Sequence, residues 1–184
     1  MTNYSPVEIE YNADTILSEL GAIAKGEDFV TLQCNIKERI AIRKITGINL
    51  PISSILYFRL DKLRSGLIHI DTDADNPIYD SLFALNLPLL NCKKVSMDWF
   101  IQKDMSTAPL TFAGPSHGSK TPRLPLDNAM CIDTCIYDTP QIVKIDSWHS
   151  VTNHSNIDIA YFISIRFPNT IKYNTVLEIL KNKS

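Results

Sequence analysis

Short alternating apolar and polar stretches, turn residues between them, and helical spacing confined to the two ends predict a mainly β chain. Its architecture would be a β-sandwich or jelly roll with flanking N- and C-terminal helices. The clearest alternation covers residues 157–167, where Ile159, Tyr161, Ile163, Ile165 and Phe167 interleave with Ala160, Phe162, Ser164 and Arg166. A length of 184 residues suits one domain with a substantial core. We read 1–184 as a single unit with its core at about 50–168.

From the N-terminus, residues 6–26 begin with a short alternating segment and turn helical. Asn12 or Asp14 can cap this helix, Ile16, Leu17 and Leu20 recur at helical spacing, and Gly26 supplies a stop. Phe29 to Cys34 is rich in β-forming residues and reads as a strand. The polar stretch Asn35 to Lys44 has no decided character. Ser53 to Arg59 is a strand, Asp61 to Gly66 a turn, and Leu67 to Asp71 a second strand that enters a polar loop from Thr72 to Pro77.

Phe83 to Leu90 follows as a strand with Phe83, Leu85, Leu87 and Leu89 on one face and Ala84, Asn86 and Pro88 on the other. A lone Asn in such a run, if buried, must bond either backbone or a polar ligand. Residues 103–128 hold four of the ten prolines and two of the six glycines. They read as a long loop, in its functional version a lid over a substrate. Cys131 to Tyr137 and Gln141 to Ile145 are short strands, Thr152 to Asn156 is a turn cluster, and Asn174 can cap a last helix, Thr175 to Lys181, striped by Val176, Leu177 and Leu180.

Composition narrows the function classes. With 45% hydrophobic and 21% charged residues the chain is an ordinary globular protein, and a net charge of −2 gives no general attraction to nucleic acid. No apolar run approaches about 18 residues, and the first residues have neither a basic nor an apolar leader region, so a cytoplasmic protein with no membrane partner is expected. Cys34, Cys92, Cys131 and Cys135 are then expected to be free, mostly buried thiols. Cys131 and Cys135 would share a strand face, but a zinc site needs two further ligands that do not cluster nearby.

The chemistry concentrates at His69-Ile70-Asp71. On a strand, residues i and i+2 point the same way, so this imidazole and carboxylate emerge side by side. A third ligand is offered downstream by His149, within Ser147-Trp-His-Ser-Val151. Two imidazoles and one carboxylate on one side of an ion leave open positions opposite, the arrangement of non-haem Fe(II) oxygenases. By itself His-x-Asp is a common tripeptide, better explained by a strand-end histidine before a turn Asp. His149 could likewise be a core histidine bonded to backbone. His117 reads as a solvated loop residue and His154 as a surface one.

Several pieces occur in order across about 50–168: Ile55-Leu-Tyr-Phe-Arg59, Ile68-His-Ile-Asp71, Ala84-Leu-Asn-Leu-Pro88 with Asn91-Cys92 and Trp99-Phe100, Trp148-His-Ser-Val-Thr-Asn153, and Ser164-Ile-Arg-Phe167. In these the chain resembles the Fe(II)/2-oxoglutarate-dependent oxygenases, in particular their small aspartyl/asparaginyl β-hydroxylase-like branch of phages and bacteria. The resemblance implies a double-stranded β-helix, a cupin-like jelly roll, with His69, Asp71 and His149 holding Fe(II) inside its mouth. It further implies 2-oxoglutarate and O2 as small-molecule co-substrates of a hydroxylase. Asn86, Ser164, Arg166 and Tyr57 are the expected cofactor-binding residues. The primary substrate, an amino-acid side chain or a small molecule, is not specified.

In one position the chain departs from that pattern. The resemblance places an Arg for the far carboxylate of 2-oxoglutarate ten or eleven residues after the distal His, where this chain has Ile159 and Ala160. Arg166 lies on the same strand face as Ala160, but six residues of strand span roughly 20 Å. Arg166 in a shifted register, Arg59, Arg64 or Tyr57 could take the role, or the co-substrate could differ. Two other functions therefore stand beside the first: a jelly-roll binding protein with a vestigial or structural metal site, and an oxoglutarate-independent cupin-like metalloenzyme.

Overall fold

A computed structural model of the chain describes residues 2–21, 29–32, 36–71, 82–113 and 120–181. Among them are eleven strands, β1 (Tyr4–Pro6), β2 (Phe29–Leu32), β3 (Ser54–Leu60), β4 (Phe83–Leu90), β5 (Val95–Gln102), β6 (Leu110–Ala113), β7 (Lys120–Arg123), β8 (Ala129–Ile136), β9 (Gln141–Lys144), β10 (His149–Asn153) and β11 (Ala160–Arg166). The helices are α1 (Ala13–Gly21), α2 (Ile36–Thr46) and α3 (Tyr173–Lys181). A six-stranded antiparallel sheet runs in the order β1-β9-β4-β11-β3-β2, a three-stranded one in the order β10-β5-β8, and β6 pairs with β7. The chain is thus mainly β with few helices, and no helix among the described residues is long and apolar enough to cross a membrane.

The period of two produces the layers. On the larger sheet, Ile55 and Tyr57, then Phe83, Leu85, Leu87 and Leu89, then Ile163, Ile165 and Phe167 face outward. They are covered there by Ile16 of α1, Ile42 of α2, and Val176 and Leu180 of α3. The alternate residues Ala84, Val143, Ala160 and Phe162 face inward and meet Val95, Met97, Trp99 and Cys135 of the smaller sheet. β11 lies between β3 and β4 and is buried on both faces, which is why its alternating run contains almost no charge. A third, small cluster joins Ile68, Leu124 and Ala129, with Phe100 and Trp148 against it.

Several local expectations change. Asn12 is the cap of the first helix, its Oδ1 accepting the Thr15 N–H at 2.9 Å. The expected stop at Gly26, the end of the first strand at Cys34, the loop after Thr72 and His117 lie outside the described residues. The undecided stretch after Asn35 is α2: its isoleucines have no strong local preference, and burial of Ile42 under the sheet decides the matter. The long loop at 103–128 contains the β6–β7 hairpin, with Pro122 opposite Thr111 in a two-stranded ribbon whose edges tolerate proline. Thr152 and Asn153 belong to β10 rather than to a turn. The last helix begins before Asn174, with the Val176 N–H bonded to the Lys172 carbonyl at 3.3 Å.

The cysteines also need correction. Cys92, Cys131 and Cys135 are free thiols, and Cys92 and Cys135 are buried, but Cys131 is exposed. On β8, Asp133 pairs with Trp99 and Cys131 with Phe100, so Ile132 is an extra residue. This bulge reverses the facing of all that precedes it and separates the two sulfurs. Burial, the largest cause, pushes the Cys135 thiol up to about 12.

One side chain ties the ends of three strands. Asn153, fully buried, shares the two N–H of Nδ2 among the carbonyls of Leu60 and Asp61 at 3.1 Å and Asp158 at 3.0 Å, and its Oδ1 accepts the Ser155 N–H at 3.0 Å. Asn153→Ala leaves these groups unpaired and should destabilise the protein by about 2–3 kcal/mol in denaturant unfolding. A loss below about 0.5 kcal/mol would contradict the assignment of Asn153 as a structural tie.

Candidate metal centre

The segment leading to Asp71 is extended, but it is not the regular strand the sequence predicts. Its backbone bonds alternate between two neighbours: the His69 N–H and the His149 N–H exchange bonds with each other's carbonyls at 2.9 Å, and the Leu124 N–H donates to Ile68 at 3.0 Å. Single bridges at His69 to both His149 and Arg123 result, rather than a ladder. The alternation of side chains survives. His69 and Asp71 point to one side, where His149 at the start of β10 meets them.

The closeness of β10 depends on Gly66. Its N–H donates to the Val151 carbonyl at 2.8 Å, and a Cβ there would sit 3.2 Å from that same oxygen. Farther along, the Asp71 N–H donates to Ile145 at 3.0 Å. Backbone bonds on both sides therefore fix the triad before any side-chain interaction is counted.

One candidate ligand atom from each of His69, Asp71 and His149 lies within 4.8 Å of the others. His69 Nε2 is 3.2 Å from Asp71 Oδ1, and His149 Nε2 is 3.5 Å from Asp71 Oδ2. The other nitrogen of each ring faces a carbonyl two residues upstream: Nδ1 of His69 lies 2.7 Å from the Leu67 oxygen, and Nδ1 of His149 lies 2.8 Å from the Ser147 oxygen. A carbonyl oxygen can only accept, so both Nδ1 atoms carry hydrogen. In the neutral rings the Nε2 lone pairs are left facing Asp71. This group could hold a metal ion.

Arg166 is at the same point. Its Nη2 donates to Asp71 Oδ2 at 2.6 Å, with the Arg166 side chain 12% and the Asp71 side chain 18% exposed. Burial would raise the Asp71 carboxyl, but Arg166 first, and then His69, hold it well below the usual 3.8. Burial and the neighbouring His69 lower His149, so it stays neutral at pH 7, while for His69 burial, the largest single cause, is outweighed by the charge and hydrogen bond of Asp71 together with the Leu67 carbonyl, which raise it. The site therefore presents an ionised carboxylate and a neutral buried imidazole, the protonation states metal binding requires.

Behind the triad lies a cavity of about 210 Å³ between the sheets. Asn86, Ser164 and Arg166 line it; Tyr57 does not, because it faces outward from β3 into the helix-covered core beside Tyr161. Asn86 Nδ2 donates to the Tyr137 hydroxyl, which donates to Met97 Sδ at 3.0 Å, while Asn86 Oδ1 and Arg166 Nε are buried without partners among the described residues. Tyr137, Met97, Phe58, Phe162, Ile145 and Val151 are cavity residues that the sequence reading passed over. For Phe162 the inward parity shared with Ser164 and Arg166 was the available signal. His154 is exposed, its Nε2 2.9 Å from Ser96 Oγ.

No protein-family model matches the chain, and comparison with curated proteins finds no match.

The sign of the pH dependence follows from Asp71. Its folded carboxyl lies below the unfolded value of about 3.9, so the stabilisation is complete above about pH 4 and is lost as pH falls through the folded value. In metal-free protein Arg166→Met should cost about 3 kcal/mol at neutral pH, because it leaves a buried carboxylate unpaired. The gap between variant and wild type should close as pH drops below about 4 in denaturant unfolding. A gap independent of pH would show that the pair does not hold Asp71 ionised.

Proposed function

We propose that the chain is a mononuclear non-haem Fe(II) oxygenase, a hydroxylase that uses a 2-oxo acid and O2, with 2-oxoglutarate the acid implied by the sequence resemblance. The observation that carries this reading is the paired anchoring of His69 and His149 through Nδ1, which aims both Nε2 atoms at one ionised carboxylate. The strand order supports it. Residues 67–71 lie beside β10, so the series 67–71, β10, β5, β8 faces β9, β4, β11, β3, all antiparallel, as a double-stranded β-helix requires.

The donor set fits the metal. Two imidazole nitrogens and one carboxylate oxygen suit Fe(II), and three protein ligands leave coordination positions for co-substrate and oxygen. Because Arg166 occupies Oδ2, Asp71 offers Oδ1 as its metal ligand and is held to one orientation. When bound, iron with a 2-oxo acid and O2 supplies the oxidant that inserts oxygen into a C–H bond. The protein's own part is to keep His149 neutral, to fix both rings and the carboxylate, and to keep water out with the apolar wall of Phe58, Phe162, Ile145 and Val151.

The tail of 2-oxoglutarate fits less well. The arginines lining the cavity are Arg166, engaged with Asp71, Arg59, paired with Asp61 at 2.9 Å, and Arg64, which is exposed. Of the two positions where the resemblance expects a cation, Ile159 is half-buried and Ala160 is fully buried among apolar neighbours. This favours, as a second reading, a metalloenzyme of the same fold that does not use oxoglutarate.

Anaerobic calorimetric titration of the metal-free protein with Fe(II) or Mn(II) should give one site per chain. His149→Ala and Asp71→Ala should weaken binding by more than about tenfold and abolish O2 consumption, while His154→Ala should do neither. Unchanged metal affinity in both ligand variants would remove the metal centre from the account.

A further inference from the structure

We infer that the metal-binding cavity takes a 2-oxo acid with an apolar side chain, bound carboxylate end first, in preference to 2-oxoglutarate. The inference rests on the metal reading above and concerns the polarity of the space beside it. Inward positions along β11 step away from Asp71 in the order Arg166, Ser164, Phe162, Ala160. Beside the triad, Arg166 Nε is a buried donor and Asn86 Oδ1 a buried acceptor, each without a partner among the described residues, and Ser164, the cross-strand partner of Asn86, is buried with them. A guanidinium edge with an unused N–H suits a carboxylate, so the polar needs of the cavity are concentrated at its metal end.

Farther from the metal the character reverses. Phe162 stacks on Phe58 at 4.5 Å, and Leu60, Met97 and Val151 complete the wall around them. Ala160 sits fully buried opposite Leu60 in the β11–β3 register. A second carboxylate reaching this region would give up its hydration, and among the described residues the cations it could meet there are Arg59, held by Asp61 at 2.9 Å, and the exposed Arg64, so the penalty exceeds what contacts there return. A branched aliphatic or phenyl tail loses nothing polar and gains apolar contact. Arg64, at the outer end of the cavity, is exposed, and a solvated guanidinium holds a carboxylate weakly.

The test uses the full chain loaded with Fe(II) under anaerobic conditions and titrated separately with 4-methyl-2-oxopentanoate, phenylpyruvate and 2-oxoglutarate. Binding is read from the visible charge-transfer band of the chelated 2-oxo acid. The two apolar-tailed acids should bind at least about tenfold tighter than 2-oxoglutarate. Leu60→Arg, at a partly exposed position whose cross-strand partner is Ala160, should reverse the order by supplying the missing cation. Should that variant fail to fold, the wild-type order alone still decides. Iron binding with 2-oxoglutarate equal or tighter, or with no band from any of the three acids, overturns this inference and leaves the metal centre standing. Absence of iron binding overturns the metal reading itself.

Discussion

The buried Asp71 carboxylate is the constraint around which the rest of the structure is arranged. It faces His69 and His149 and accepts a hydrogen bond from Arg166, and each of these three arrives by a different route. His69 comes with Asp71 on one extended segment, His149 at the start of β10, and Arg166 at the end of β11 in the opposite sheet. A buried carboxylate without these partners would be strongly unfavourable, so the two sheets must meet in this register. The same partners keep Asp71 ionised at neutral pH.

Much of this arrangement was legible in the chain, because period-two alternation is a local signal. The facing of β4 and β11 and the pairing of His69 with Asp71 follow from counting positions along strands, whereas His149 joins them only through the resemblance. What stayed hidden depends on partners distant in sequence. Arg166 could be placed on the inward face of its strand, but its bond to Asp71, 95 residues away, exists only once two sheets are stacked. Tyr57 was misjudged for a related reason: alternation puts it on the face opposite Phe58, and only the helix layer shows which face is core and which is cavity. The bulge at Ile132 and the hairpin within 103–128 are likewise set by neighbouring strands, against a local composition that argued for something else.

Residues that first stood out as parts of a sequence pattern turn out to have structural work as well. Asn91 has a left-handed backbone, φ 56°, and its side chain donates to the Ile159 carbonyl at 3.0 Å, while the Cys92 thiol donates to Tyr161 at 2.9 Å. Both tie the turn after β4 to the first residues of β11. Trp99 bonds the Lys144 carbonyl through its indole N–H at 3.0 Å and stacks on Tyr4. These contacts hold the walls of the cavity and touch none of the metal-ligand candidates. Pattern agreement at such positions therefore supports a fold more directly than it supports an activity. The proposed activity rests on the triad and on the contrast between the polar and apolar ends of the cavity.

The central claim is that His69, Asp71 and His149 hold a metal and leave coordination positions open. Electron paramagnetic resonance of the Fe(II)-loaded protein exposed to nitric oxide under anaerobic conditions tests both parts at once. The account predicts the high-spin iron–nitrosyl signal in the wild-type protein and its loss in His149→Ala. Iron that binds without giving this signal would mean a closed, structural site. The same signal from the variant would mean that iron sits elsewhere, and either result would contradict the account.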